Sequence, residues 1–327
     1  MATLSTTELI TDVIDAFKVR FPLMSSIGTD FSSDEAKLGQ TITGRVLSLP
    51  SVQDYDSSGD TGYKANANSA NGLTTDVSVT LNRHKHVPIK VDYIDQVSTK
   101  RDLYSETVGN MAYALGKEAF DHAMGLVVQA NFSHEVITTE ANSDYDALAS
   151  IGSVLNKNGA SATGRFGIVN SNVFNALDAD ARIASGDYHG QQKGASAYGQ
   201  LSNVGGFENI FEYPDMPANS ENLTGYFGDK TGIVMASRIP NDVEALANRV
   251  GIPSISKVDV VSDADTGLSM MGITYQDPHT FDVYTTLTWI YGVVAGCQGG
   301  TDGSLTDNGG IRLGTVAKSS GAFTTSL

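Results

Sequence analysis

Several fragments of the 327-residue chain carry residue types that could do chemistry, and each lacks a partner that its chemistry requires. His134-Glu135-Val136-Ile137-Thr138 opens as a zinc-protease helix does. Thr138, however, stands where a second imidazole must reach the same ion, and one imidazole cannot replace two facing ligands. Asp54-Tyr-Asp56-Ser-Ser58-Gly59 places oxygen ligands at alternate positions like a calcium loop, but Ala65 occupies the place of the bidentate glutamate. Gly228-Asp-Lys-Thr-Gly232 echoes a phosphate loop, yet Asp229 stands before Lys230, where a carboxylate repels phosphate and crowds the backbone nest. A turn is the expected structure there. His84-Lys-His86 puts two imidazoles on one strand face, read as an exposed face. Cys297 closes the apolar run Tyr291-Gly-Val-Val-Ala-Gly-Cys297 with no adjacent base, which describes an inert buried thiol. No catalytic, cofactor-binding or metal-binding residue is expected, and the chain does not read as an enzyme.

Composition narrows the classes further. The hydrophobic fraction is 40%, enough for a sizeable core, and a single cysteine rules out an intrachain disulfide. A reducing compartment such as a bacterial cytoplasm fits that usage. The formal charge is −16, from 37 acidic and 21 basic residues, with no lysine or arginine cluster longer than Lys100-Arg101. Sequence-specific nucleic-acid readers present a basic face, so a surface that merely encloses nucleic acid is the compatible alternative. No basic patch followed by an apolar run marks a secretory signal, and no run of 18 apolar residues marks a membrane span.

The elements that would position any function fall in a distinctive order. Ser5 and Glu8 match a capping box, and Ile10, Val13, Ile14, Phe17 and Phe21 follow at helical spacing until Pro22. That apolar face must pack on its own domain or on a neighbouring subunit. From 39 to 92 the period changes to that of strands: a β-rich run closed by Pro50, then Val77, Val79 and Leu81, then Val87, Ile89 and Val91 beyond a kink at Pro88. Between these arms, 54–71 is rich in Ser, Gly, Asn and Ala, which predicts an extended hairpin with a polar tip. The longest helix is expected over 99–132, starting at a second capping box (Thr99, Asp102) and weakened by Gly109, Gly116 and Gly125, which also permit close approach. Helix and strand alternate over 141–250, with helices capped at Ser143/Asp146 and Ser171. Strands return in the last third, flanking the turn Asp263-Ala-Asp-Thr-Gly267 and including a long strand that carries Leu287, Trp289, Tyr291 and Val293 on one face.

This order resembles the Hong Kong 97-type fold of tailed-bacteriophage major capsid proteins and encapsulin shells, an α+β architecture. The phrases that carry the resemblance are Gly39-Gln-Thr-Ile-Thr-Gly-Arg-Val-Leu-Ser-Leu-Pro50, Val79-Thr-Leu-Asn-Arg-His-Lys-His-Val-Pro-Ile89, Gly205-Gly-Phe-Glu-Asn-Ile-Phe-Glu-Tyr-Pro-Asp-Met-Pro217 and Tyr284-Thr-Thr-Leu-Thr-Trp-Ile-Tyr-Gly-Val-Val294. It implies an N-terminal arm (1–38), an extended β-hairpin loop (39–92) and a peripheral domain (93–140 and 251–327) that contains the spine helix (99–132). An apical domain would span 141–250.

The function so implied is structural: self-assembly into an icosahedral virion head, through pentamers and hexamers, enclosing double-stranded DNA without sequence-specific binding. Assembly is expected in the host bacterial cytoplasm, with a portal and a separate scaffold or decoration protein as partners and no membrane. No long charged coiled-coil prefix marks a fused scaffold. Inter-subunit contacts are expected at Ile10, Val13, Ile14 and Phe17 on the arm, and at Asp54, Tyr55, Tyr63 and Lys64 at the tip. An encapsulin-like protein compartment and a soluble hydrolase are the alternatives.

Overall fold

The computed structural model describes residues 6–47, 74–91, 103–139, 142–184, 199–240, 255–263, 266–276, 279, 282–296, 298–299, 305–306 and 309–315. Helix α1 (Thr6–Arg20) leads through a short 3₁₀ turn, Pro22–Ser25, into strand β1 (Gly28–Ala36). Strands β2 (Thr41–Leu47), β3 (Thr74–Thr80) and β4 (Arg83–Val91) follow, and then the long helix α2 (Leu103–Gly125). After β5 (Glu135–Ile137) come α3 (Tyr145–Lys157), β6 (Phe166–Val169), α4 (Ser171–Ala179) and the single turn α5 (Ala181–Ala184). Strands β7 (Gln200–Val204), β8 (Phe207–Glu212), β9 (Leu223–Gly228), β10 (Ile233–Pro240), β11 (Ile255–Ser262), β12 (Ser269–Gln276) and β13 (Val283–Ala295) complete most of the chain. The last are β14 (Gln298–Gly299), β15 (Leu305–Thr306) and β16 (Gly310–Gly314).

Two six-stranded sheets share one helix. The first runs β1-β10-β13-β12-β11, with β4 added to β13; the second runs β5-β16-β9-β6-β8-β7. Alternation along β13 sends Leu287, Trp289 and Tyr291 toward α1 and α2, while Ile290 faces the opposite side. In the second sheet Phe166, Ile168 and Tyr226 join the α2 core, whereas Val169, Phe227, Ile311 and Leu313 pack under α3 and α4. Helix α2 therefore buries residues from both sheets in one continuous apolar cluster. Its own stripe is Val108, Met111, Ala112, Leu115, Ala119, Phe120, Ala123 and Met124, at the i, i+3, i+4 spacing that one helix face demands.

Five features differ from the sequence expectation. First, α2 stops at Gly125, short of 132, because glycine is a poor helix interior residue and the exposed carbonyls find other donors. Asn219 Nδ2 donates to the carbonyls of Met124 and Val127, both at 2.8 Å, and Asn131 Nδ2 donates to that of Leu126 at 2.7 Å. Second, the caps fall one residue away: Asp144 accepts from the N–H groups of Asp146 and Ala147, and Asn170 from that of Val173. Ser5, Thr99 and Asp102 lie outside the described residues.

Third, 83–91 does not extend the hairpin. Strands β2 and β3 pair with each other, but β4 pairs along its whole length with β13, from Arg83↔Tyr291 to Val91↔Val283. The chain turns between them because Leu81 is fixed to the β1–β2 connection: its N–H donates to the Gln40 carbonyl and its carbonyl accepts from the N–H of Gly39. Fourth, the domain bounds are crossed. β10, from 141–250, belongs to the first sheet, while β16, from 251–327, sits in the second between β5 and β9. Fifth, β1 is a full nine-residue strand parallel to β10, although its Asp, Ser and Glu residues show no strand period.

Candidate assembly surfaces and the joint between the second sheet and the long helix

The described enzyme-like fragments of the sequence do not keep the geometry their chemistry needs. Glu135, the second residue of the zinc-like fragment, is buried and its carboxylate accepts from Arg312 at 2.9 Å, while the His134 carbonyl accepts from the Arg312 N–H. The phosphate-loop echo is a turn joining β9 to β10, in which Asp229 Oδ1 accepts from the N–H and hydroxyl of Thr231. Among the described residues, no three His, Cys, Asp or Glu side chains stand close enough to hold a metal ion, and no helix is long and apolar enough to cross a membrane. Asp54, Asp56 and Cys297 lie outside the described residues.

The predicted contact residues separate into two sets. Ile10, Val13, Ile14 and Phe17 are all brought together, and all are buried inside this chain. They pack on α2 and on the first sheet, where Phe17 meets the Trp289 ring edge-on at 6.2 Å. Of the two partners that the sequence leaves open for this apolar face, the chain's own sheet and long helix supply one. Asp54, Tyr55, Tyr63 and Lys64 lie outside the described residues.

Three regions of the described surface and its margins stand out. The outward side of α1 presents Glu8, Thr11, Asp12, Asp15 and the 81% exposed Val19. The root of the β2–β3 hairpin turns Val77 and Val79 inward, and Val79 packs on Ala236 and Ile290 on the side of the first sheet away from α2. Farther along that same side, Tyr275 and Tyr284 stack at 5.1 Å, and Val260 is exposed. Exposed large apolar side chains are scattered singly over α1, the β1–β2 connection, α2 and β11, as Val19, Leu38, Tyr113 and Val260.

Sequence reasoning missed the residues that fix the second sheet against α2 and the chain that follows it. Arg312 Nη2 donates to Glu135, Nη1 donates to Glu221 Oε2 at 2.7 Å, and Nε donates to the Phe132 carbonyl at 2.7 Å. Glu221 also accepts from the N–H of Gln129. Midway along α2, Lys117 and Tyr113 donate to Asp215, and the Tyr213 hydroxyl donates to Asp121. The Tyr213 hydroxyl is held far above its ordinary value, first by burial and then by the Asp121 carboxylate it serves. The Lys117 ammonium is raised by its bond to Asp215. The single arginine in an apolar run, Gly310-Ile-Arg-Leu-Gly314, was the available signal, because a buried cation must be paired.

No family model matches the sequence, and no curated protein does either. Solved structures do. The capsid structure of the cyanophage P-SCSP1u aligns with a TM-score of 0.54 at 14% identity, covering 88% of this chain and 86% of that one. The fold is that of a phage capsid. A structure from Mycobacterium phage Che8 aligns at 0.50 and 17% identity over 84% of each chain. The mature capsid of bacteriophage PhiM1 aligns at 0.50 and 11% identity, over 88% and 85%. These alignments run over 84–88% of this chain, so the likeness is one of the fold as a whole.

Proposed function

We infer that this chain is the major capsid protein of a tailed phage, a structural subunit without catalytic activity that closes into an icosahedral head around double-stranded DNA. The match to the cyanophage capsid over 88% of this chain carries this reading. In its terms α1 belongs to the arm, β2 and β3 root the extended loop, α2 is the spine, and the two sheets form the peripheral and apical regions. Pentamers and hexamers supply the shell, with a portal and a separate scaffold or decoration protein as partners, and assembly takes place in the host cytoplasm. The tip residues Asp54, Tyr55, Tyr63 and Lys64 remain the proposed contacts to neighbours.

The physical mechanism is multivalency. Each contact patch buries on the order of 800 Å² per partner, and a subunit entering a shell engages several patches at once. At −16 per subunit, mutual repulsion opposes closure until salt shortens its range to about 8 Å near 0.15 M. Electron microscopy and light scattering of the purified chain across a salt series test the reading. Closed shells or rings of five and six are expected, increasing with ionic strength. A particle that stays monomeric at every salt and protein concentration overturns it, and shells that copurify with a protein cargo instead point to a protein compartment.

A further inference from the structure

Strand β4 is an edge: among the described residues it pairs only with β13. It also carries Arg83, His84, Lys85 and His86 in succession, in a chain whose acids outnumber its bases. Strand alternation divides these side chains between two faces. Arg83 and Lys85 point toward α2, and His84 and His86 lie on the opposite face, exposed.

The α2-facing side has a third imidazole. His122 lies edge-on to Tyr291 at 5.8 Å, and its Nδ1 is buried with no hydrogen-bond partner. Each element packed around it contributes charge. From β4 come Arg83 and Lys85; from α2 comes Glu118, whose carboxylate holds Lys85 at 2.5 Å; from β13 comes Tyr291, which donates to the Glu118 carbonyl at 3.5 Å. Asp121, on the same helix, is engaged by Tyr213 and Lys117. On the other face the Thr288 hydroxyl donates to the Lys85 carbonyl, so it accepts from His84 Nε2 at 2.8 Å. The proton that His84 can still gain therefore goes to Nδ1.

We propose that β4 is an acid-sensitive strap, seated on β13 and α2 while His84 and His122 are neutral, and loosened when His122 becomes charged beside Arg83 and Lys85 and His84 becomes charged on the opposite face. Glu118 faces these cations and is already committed to Lys85. The β2–β3 hairpin hangs from the same strap through the two residues Leu81 and Asn82, and the turn is pressed against β13: a Cβ on Gly292 would fall 2.2 Å from the Thr80 carbonyl oxygen. Loosening β4 thus removes one of the anchors of the hairpin, while Leu81 keeps its bonds to the β1–β2 connection and α1, α2 and the second sheet keep their own core.

The direction of titration agrees with this geometry. Burial, followed by the Arg83 charge, holds His122 below its ordinary value; burial, followed by His86, does the same to His84. The folded chain therefore binds these protons less tightly than the unfolded chain. The seating is complete above about pH 6.5 and declines as pH falls through that value toward the folded-state titration. The strap is a property of the subunit and stands apart from what the subunit assembles into.

Hydrogen exchange of the whole purified chain, corrected for the intrinsic pH dependence of exchange, tests it. Between about pH 7.5 and about pH 5, protection across 83–91 should fall roughly tenfold or more, while β6 and β8 keep theirs. The variant H84Q/H86Q/H122Q should hold its protection over the same range. Arg83 is exposed, so R83Q folds in any event, and removing its charge should move the loss to lower pH. Unchanged protection of 83–91 in the parent chain, an equal acid loss in the triple variant, or an unmoved midpoint in R83Q each overturns the proposal.

Discussion

Arg312 and Glu135 meet at 2.9 Å with both side chains almost wholly closed off from water, at 1% and 3% exposure. The pair joins β16 to β5 and, through Glu221 and the Phe132 carbonyl, ties the second sheet to the end of α2. An ion pair this dry gives little net stability compared with a well-packed apolar substitute, yet breaking it leaves a buried charge without its counter-ion.

Arg312→Met should therefore cost about 3–5 kcal/mol, because Glu135 and Glu221 stay behind as buried or half-buried carboxylates. The double variant R312M/E135M should recover part of that loss. Urea denaturation monitored by tryptophan fluorescence reads both, and a double variant no more stable than the single one would mean that the charge of Glu135 is not the cost.

Two glycines of α2 should respond with opposite signs. A Cβ on Gly116 would lie 2.4 Å from the Phe21 ring, so α1 docks closely because nothing stands there. Gly125 has open space around its Cβ position. Gly116→Ala gains about 1 kcal/mol of helix propensity but must displace Phe21 and Phe17, at an overpacking cost of about 1–3 kcal/mol, so a net loss is expected. Gly125→Ala should be stabilising by about 0.5–1 kcal/mol. Denaturation midpoints of the two variants give the comparison.

The strong periods of the sequence survive in the structure, and its weak signals explain what was not legible. Trp289 and Tyr291 alternate with Ile290 as the strand period requires, and Gly116 allows the close approach that its lack of a side chain suggests. Strand β1 escaped notice because Gly28-Thr-Asp-Phe-Ser-Ser-Asp-Glu-Ala36 has no alternation; parallel pairing with β10 stabilises it from outside. The β4 alternation was visible, but its partner was not: period two specifies a face and leaves the neighbouring strand open. The Arg312 joint draws on residues 132, 135 and 221, and no local pattern reports a contact between such distant positions. The arm residues were recognised as apolar, but periodicity alone does not distinguish an internal partner from a neighbouring subunit.

That last distinction can be measured. With Ile14 and Phe17 at the surface, Ile14→Asp plus Phe17→Asp would leave a folded subunit that assembles poorly. With both side chains in the subunit core, each carboxylate must be buried without a partner, at a cost of several kcal/mol. The double variant should therefore lose the near-ultraviolet circular dichroism of Trp289 along with cooperative unfolding. A variant with parent-like stability but no assembly would return these residues to an inter-subunit role.

The contact between Lys18 and Asp263 supplies a pH test of how α1 is held. The Lys18 ammonium reaches Asp263 Oδ1 at 2.5 Å, pinning the helix to the turn between β11 and β12. Burial pushes the Asp263 carboxyl up, but hydrogen bonds from Lys18 and from the Thr266 hydroxyl and N–H outweigh it, and the group sits below its ordinary value. A carboxylate depressed in the folded state adds stability that is present above its unfolded value, near pH 4, and is lost as pH falls through its folded one. Lys18→Met removes one of those bonds and keeps the apolar stem. It should lower stability at neutral pH, with the gap from the parent chain closing as pH drops below the ordinary carboxylate range. Asp263→Asn loses the charge, and with it strength in the bonds to Thr266 as well as to Lys18, so its loss at neutral pH should exceed that of Lys18→Met. Thermal unfolding at both pH values separates the two: a gap that persists at acid pH would mean that Lys18 acts through packing of its stem, not through the Asp263 charge.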